Sequence, residues 1–584
     1  MLRARRPLLR SLALTAQTVR EHLADDPVLL ALQISRRLPR AVTERAAAVL
    51  TRAPGGVAAA VGHEMRGERE AGLASLERAD DVSPAARVHR ADAALGLGRP
   101  DLAAAHLDSV PVGLRAAAWT AAAARLAAHR GDLDEAARLA AVHPRNRHLA
   151  RRMAGERDAF RGATPVLARE RSYAPVPGRV LHVLTNSLPH TGSGYAQRSH
   201  SILRSLREEG FAVSAVTRPG YPVQVGVPWA AERDVVDGVA YHRLLPVRLA
   251  QGQADRFVQH AELLADHVRR ERPALLHTTT HFANAAAVGA VADAFGIPWV
   301  YEVRGQLADT WAAARGPEAR ESERYRRFVE REAEAAARAD GVVTLGEGMR
   351  ERLVAGGVAG SDVVLCPNAV GEAFLAEPPD AAAARAELGW DDWAGAFVVG
   401  TVSSIVDYEG LDTLLRAAAL LAPRRPDLRV LIAGDGVALP GLKSLAAELG
   451  IGPLCRFPGR VPRAAARLHH AAIDAFVVPR RDLPVTRSVT PMKTVEASAT
   501  ARPVIASDLP ALRELVEDGH TGLLFPAGDD AALADALDLL GEDPALRARL
   551  GAEGRAWALE TRTWAGNARR YRELYAGLGV HPTR

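Results

Sequence analysis

The sequence predicts an α/β protein with two parallel-sheet domains facing each other behind an all-helical N-terminal region. Three observations carry this. Residues 1–170 read as helix after helix with no strand signal. From 179, and again from 394, short apolar strands alternate with amphipathic helices. The chain has 584 residues and 48% hydrophobic content, enough for several separate cores.

Composition bounds the function. A net charge of +5 suits anionic small ligands and is too weak to imply nucleic acid. The two cysteines, Cys366 and Cys455, lack metal-ligand spacing, so no disulfide scaffold follows and a cytoplasmic, reducing location is expected. The opening MLRARRPLLRSLALTAQTVREHL turns polar too early for a spanning helix of ~20 apolar residues. Through Arg3, Arg5, Arg6 and Arg10 it could touch the inner face of a membrane peripherally, or it is an ordinary packed helix.

In the helical region, three stretches recur at near-equal spacing around Gly67, Gly98 and Gly131, each a glycine followed by an acidic residue and an alanine- and leucine-rich run. They resemble a degenerate tetratricopeptide-type array, which implies docking of a protein partner or self-association; a plain helical bundle stays open. A linker at 171–178 carries two prolines and a glycine. The first α/β domain is expected over 179–385, with strands at 179–185, 211–217, near 239, 274, 298 and 342. The second is expected over 391–560, with strands at 396–402, 428–434, 454–459, 474–479, 503–507 and 522–526. A bridging helix and tail occupy 561–584. Two such Rossmann-like halves place the loops at the carboxyl ends of both sheets around a shared cleft.

The most informative stretch runs from Ser488 to Phe525: a loop, a helix opened by Pro491, a strand, a second helix and a strand. Pro491 fits a first helical turn, whose free amides can receive an anion. Lys493 and Glu496, three apart, are neighbours on one helical face, which suits a ligand carrying both phosphate and hydroxyls; a surface salt bridge between them is the rival. Only two lysines occur in the chain, Lys443 and Lys493, so a lysine here marks a site wanting a compact point charge.

Other candidates lie in strand-to-helix loops. Gly192, Ser193 and Gly194 allow close approach to a phosphate or sugar, but Gln197 replaces the third glycine of a dinucleotide fingerprint, so hydride transfer is disfavoured. His277 and His281 follow a strand without a third metal ligand, and could contact a sugar hydroxyl or be satisfied structurally. Glu302 and Arg304 alternate on one face, so Arg304 either neutralises a leaving phosphate or simply pairs with Glu302. Gly400, Thr401, Ser403 and Ser404, with the Gly434 to Gly436 turn, suit a diphosphate.

These pieces together resemble the GT-B glycosyltransferases, specifically glycosyltransferase family 4. The carrying motifs are TGSGYAQRSHSILRSL, VYEVRG, ADGVVTLGEGMRERLVAGG, VVLCPNAV, GTVSSIVDYEGLDTLLRAA, VLIAGDG and TPMKTVEASATARPVIASDLPALRELVEDGHTGLLF, spread over residues 179–570. The resemblance implies retaining transfer from a nucleoside-diphosphate sugar held mainly by the second domain to a glycan, lipid or small-molecule acceptor held by the first. It implies no tightly bound cofactor and no metal. The second glutamate of the family's E-x7-E pattern falls on Glu496, on the nucleotide ribose, while the first falls on Ser488. The family's diphosphate-binding Arg and Lys fall on Thr401 and Glu409. On this reading Arg304 and Lys493 stabilise leaving-group charge, His281 meets the transferred sugar or acceptor, and the Gly192 to Gly194 loop closes over the phosphate. A non-catalytic scaffold with a vestigial site, or an epimerase or phosphorylase on the same architecture, are the alternatives.

Overall fold

The computed structural model describes residues 2–583 except 26–27, 29–31, 33–34, 36–39, 54–55 and 78–82; the side chains of Arg3, Arg5 and Arg6 lie outside the described residues. The helical region contains three antiparallel pairs: Gly56–Met65 with Arg69–Glu77, Pro84–Gly96 with Pro100–Asp108, and Ala117–Arg130 with Leu133–Ala141. Gly67, Gly98 and Gly131 sit in the connecting turns at φ of +80°, +72° and +86°, a left-handed backbone that glycine adopts without steric cost. Leu76, Val88, Leu97 and Leu107 form part of this region's own core. Phe160, closing the helix Arg147–Phe160, joins it to the next domain by edge-on contacts with Phe282 and Phe328. The opening helix Leu2–Asp25 packs through Leu14 on Val223, Leu245 and Leu249, and Arg10 pairs with Glu232 at 3.0 Å. Among the described residues no helix is long and apolar enough to cross a membrane.

The first sheet comprises β1 (Arg179–Leu184), β2 (Ala212–Thr217), β3 (Arg233–Val236), β4 (Val239–Arg243), β5 (Leu275–Thr279), β6 (Trp299–Val303), β7 (Gly341–Thr344) and β8 (Val363–Leu365). Its spatial order is β3-β4-β2-β1-β5-β6-β7-β8, parallel except for β3, which runs antiparallel to β4. The second sheet comprises β9 (Phe397–Val402), β10 (Leu428–Ala433), β11 (Cys455–Gly459), β12 (Ala475–Val478), β13 (Val504–Ser507) and β14 (Gly522–Phe525), in the order β11-β10-β9-β12-β13-β14. The central strands β5, β6 and β12 are buried throughout, as parallel strands covered by helices on both faces must be.

Strand order reverses between β1 and β5 in the first sheet, and between β9 and β12 in the second. Loops leaving neighbouring strands at such a point diverge to opposite faces and open a crevice at the carboxyl edge. The last helix, Trp564–Gly577, returns to the first domain, where Trp564, Tyr571 and Tyr575 share a core with Val180, Ile202 and Val300. Cys366 and Cys455 are both free.

Candidate active site

The second sheet's crevice is built from backbone first. Ser403 N–H donates to the Ala433 carbonyl at 2.9 Å, and Ile405 N–H to that of Asp435 at 3.0 Å, so the loop after β9 lies flat on the turn after β10. Glycine is required for that approach: a Cβ on Gly434 would stand 1.8 Å from the Ser403 carbonyl oxygen, and one on Gly400 2.0 Å from that of Leu431. Gly434→Ala is therefore expected to displace the Ser403 loop and weaken binding of an anionic ligand at this crevice about tenfold, ~1.4 kcal/mol. Titration calorimetry checks this against Gly441→Ala, where the added methyl meets open space and affinity should hold.

Three charged side chains converge at this crevice. Glu409 accepts from Arg480 Nη2 at 3.0 Å and from Arg480 Nε at 3.1 Å. Its other partner is the Lys493 ammonium, which also donates to Ser403 Oγ at 2.7 Å. Burial would raise the Glu409 acid, but Lys493 and Arg480 together hold it near 2. Burial pushes the Lys493 ammonium down to about 8 despite the attraction of Glu409. Two cations against one carboxylate leave the cluster one positive charge beside the amino end of the helix Met492–Ala499.

Pro491 is the residue capping that helix, one position before its first turn, so the first-turn reading shifts by one residue. Lys493 does not pair with Glu496; it reaches back to Glu409, so the rival of a Lys493–Glu496 surface bridge is not what forms. Glu496 is 16% exposed at its side chain, and burial raises its acid to about 7 with Arg463 opposing. The nearest basic group, His470 Nε2 at 3.7 Å, is held neutral: burial first, then His469, pushes that imidazole down to about 3. Ser488 is buried and turned onto the Pro484 carbonyl at 3.0 Å. Thr401 is fully buried and its hydroxyl lacks a hydrogen-bond partner among the described residues.

In the first domain, Ser193 caps the helix Gly194–Glu208 by accepting from Ala196 N–H. A Cβ on Gly194 would lie 3.9 Å from Met492 Sδ, so the glycine loop abuts the start of the Lys493 helix across the cleft. Arg304 donates to Glu302 at 2.8 Å and to Ser199 Oγ at 2.7 Å, with its guanidinium 4.9 Å from the Tyr195 ring centre. Glu302 also receives Arg198 Nη2 at 2.7 Å, Tyr571 OH at 3.1 Å and His277 Nε2 at 3.2 Å. Burial pushes this acid up, but Arg304 and Arg198 hold it well below the usual carboxylate range. His277 is thus a satisfied structural histidine. His281 caps the helix Phe282–Phe295 through Nδ1, and burial, with Arg218 and Arg324, lowers it to about 4.

The two domains are tied at named atoms. Arg198 Nη1 donates to Asn368 Oδ1 at 3.2 Å, and Asn368 Nδ2 donates to the Thr490 carbonyl at 2.9 Å, next to Pro491. The Glu514 carboxylate accepts from Glu347 N–H at 2.9 Å and from Gly348 N–H at 3.1 Å, at the amino end of the helix Glu347–Ala355. Sequence reasoning did not single out Arg198 or Asn368; Arg480 is one of the arginines of PRRDLPVTR, which the sequence offers, with Asp482, either as lining the same side as the diphosphate loops or as solvated loop, and its place just after β12 at the strand-order reversal brings it onto Glu409.

Two facing α/β domains, with a buried cationic cluster at the crevice of the second, define a class of two-lobed proteins built on paired parallel sheets. Known proteins place the chain within it. The family described as glycosyl transferases group 1 matches residues 392–557, and the glycosyl transferase 4-like domain matches residues 193–369. A D-inositol 3-phosphate glycosyltransferase of Nocardia farcinica is 33% identical over 427 residues, covering 68% of this chain and 88% of its own. A GDP-mannose-dependent alpha-(1-6)-phosphatidylinositol monomannoside mannosyltransferase of Mycolicibacterium smegmatis is 33% identical over 215 residues, 36% of this chain. The chain spans 56% of that relative's length. Among solved structures, sucrose-phosphate synthase from Thermosynechococcus elongatus shares the fold, with TM-score 0.58, 21% identity, and coverage of 69% of this chain and 99% of that one. The chain belongs to the group 1, family 4-like glycosyltransferases of GT-B fold.

Proposed function

We propose that this glycosyltransferase moves a hexose from a nucleoside-diphosphate sugar to a hydroxyl of a glycan, lipid or small-molecule acceptor, with retention at the anomeric carbon. The observation that carries the reading is the Glu409, Arg480 and Lys493 cluster at the amino end of the Lys493 helix. Where the family's resemblance expects Arg and Lys, this chain has Thr401 and Glu409, and the cationic charge comes instead from Arg480 and Lys493. Lys493 and the helix amides take the diphosphate, with Ser403 and the Gly400 and Gly434 backbone shaping its bed. Glu496 takes the ribose hydroxyls. The acceptor oxygen forms its bond to the anomeric carbon on the face the diphosphate leaves, and its proton passes to the departing phosphate oxygen. His281, neutral at physiological pH, and Arg304 line the first-domain side with the Gly192 to Gly194 loop. Because protein cations supply the charge, the reading needs no metal at the diphosphate.

The division into 1–170, 179–385, 391–560 and 561–584 is part of this reading, as are a cytoplasmic location, a role in building the cell envelope, and a protein partner or second copy on the helical hairpins. Calorimetry with UDP, GDP and ADP, followed by assay of radiolabelled sugar donors for transfer or slow hydrolysis, tests the function. Binding of none of the three overturns it.

The pH profile is a sharper expectation. Donor kcat/KM, which reports the free enzyme, should be highest between about pH 7 and 8. Below about 7 Glu496 gains a proton and ceases to be an anionic acceptor; above about 8 Lys493 loses its charge. Each limb should approach a tenfold fall per pH unit, and Glu496→Gln should remove the acid limb alone.

A further inference from the structure

We infer that His242, His267 and Glu271 form a binding site for one divalent transition-metal ion of the Zn2+ class, built into the first domain and separate from the sugar-donor site. His242 lies on β4, in register with Val216 of β2 and Arg233 of β3. His267 and Glu271 are one turn apart on the crossover helix Gln253–Glu271, hence on one face of it. One ligand atom from each of the three lies within 4.8 Å of the others. The two imidazole rings are 4.7 Å apart between centres.

The second, independent observation is an unmet polar atom. His267 is 4% exposed, and its Nε2 is buried with no hydrogen-bond partner among the described residues. Leaving such an atom unpaired in the interior is unfavourable, and a bound cation removes that cost. The Glu271 carboxylate makes no hydrogen bond or ion pair among the described residues; Arg179 reaches only its main-chain carbonyl. Arg233, Arg243 and Arg270 stand near His242 and work against any cation, and Glu271 offsets part of that.

The donor set selects the ion. Two imidazole nitrogens and one carboxylate suit Zn2+ and its neighbours, whereas Ca2+ and Mg2+ require more oxygen ligands. Tetrahedral ligands at about 2.0–2.1 Å from Zn2+ stand about 3.3 Å apart. The widest pair the three atoms allow must therefore close by roughly 1.5 Å, a movement within reach of the Glu271 side chain at its helix end. Three protein ligands leave a fourth position for water. The ion would fasten strand β4 to the helix that crosses over after it, and so stabilise the first domain by mass action.

The test uses the tag-free full-length protein, stripped with chelator, dialysed, and incubated with ZnCl2. After gel filtration, elemental analysis should find about one Zn2+ per chain, and the thermal midpoint should rise by a few degrees, whereas CaCl2 should do neither. Co2+ in place of Zn2+ should give the visible bands of a four- or five-coordinate ion. His267→Gln and Glu271→Gln should each abolish retention and the thermal shift, while His520→Gln, at an exposed histidine, should change neither. Should His267→Gln fail to fold, Glu271→Gln at the partly exposed ligand decides alone, with circular dichroism confirming its fold. Absence of retained Zn2+ in the unsubstituted chain, or retention that Glu271→Gln leaves intact, overturns the site.

Discussion

Replacing Lys493 by alanine is expected to weaken nucleoside-diphosphate binding at least tenfold, about 1.4 kcal/mol, and to lower transfer with it. The substitution takes the local charge from one positive to neutral, because Arg480 then serves only to balance Glu409. It also strips one of two cationic partners from a carboxylate that is 5% exposed. The double variant Lys493→Ala with Glu409→Gln separates the two effects: Arg480 is released toward the ligand, and part of the lost affinity should return. Calorimetry with UDP and GDP reads both. Affinity unchanged in Lys493→Ala would favour a scaffold whose binding residues lie elsewhere, and transfer that depends on free phosphate would favour a phosphorylase.

Arg198→Met is expected to destabilise the first domain by about 3–5 kcal/mol, the cost of breaking a buried ion pair from one side. Arg198 and Glu302 are 3% and 0% exposed at their side chains, and the arginine also donates to the Pro367 carbonyl at 3.0 Å. Removing it leaves Glu302 more heavily dependent on Arg304, and frees the Asn368 side chain that holds the Thr490 carbonyl. The thermal midpoint of the first domain should fall by about 10 °C, and donor affinity should weaken because the loop before Pro491 loses its anchor. Arg204→Met, on the same helix as Arg198, removes an exposed pair with Glu372 and should cost under about 1 kcal/mol. Equal losses in the two variants would remove the network from the account.

Both parallel sheets were legible because strands covered on both faces appear as unbroken apolar runs such as DAFVVP and PVIAS. β3 was not, since RDVV alternates in exposure on an antiparallel edge, and β8 spans only three residues. The Ser488 to Phe525 unit read correctly as loop, helix, strand, helix and strand, because each segment carries its own apolar period and stop signals. Side-chain partnerships were less legible. Spacing pointed Lys493 at Glu496 three residues on, whereas its partner Glu409 is 84 residues earlier. The Glu302 and Arg304 pairing was readable from strand alternation. The rest of that network was not, since Arg198 and Tyr571 stand 104 and 269 residues from Glu302. Local periodicity carries elements; only the tertiary fold brings distant charges to one point.

The return of the helix Trp564–Gly577 to the first domain sets the order in which the polypeptide can mature. Tyr571 and Tyr575 plug the floor of the first sheet from beneath and hydrogen-bond Glu302 and His277. A nascent chain emerging from the ribosome therefore exposes an unsealed first lobe throughout synthesis of the second, and the lobe translated earlier is the one finished last.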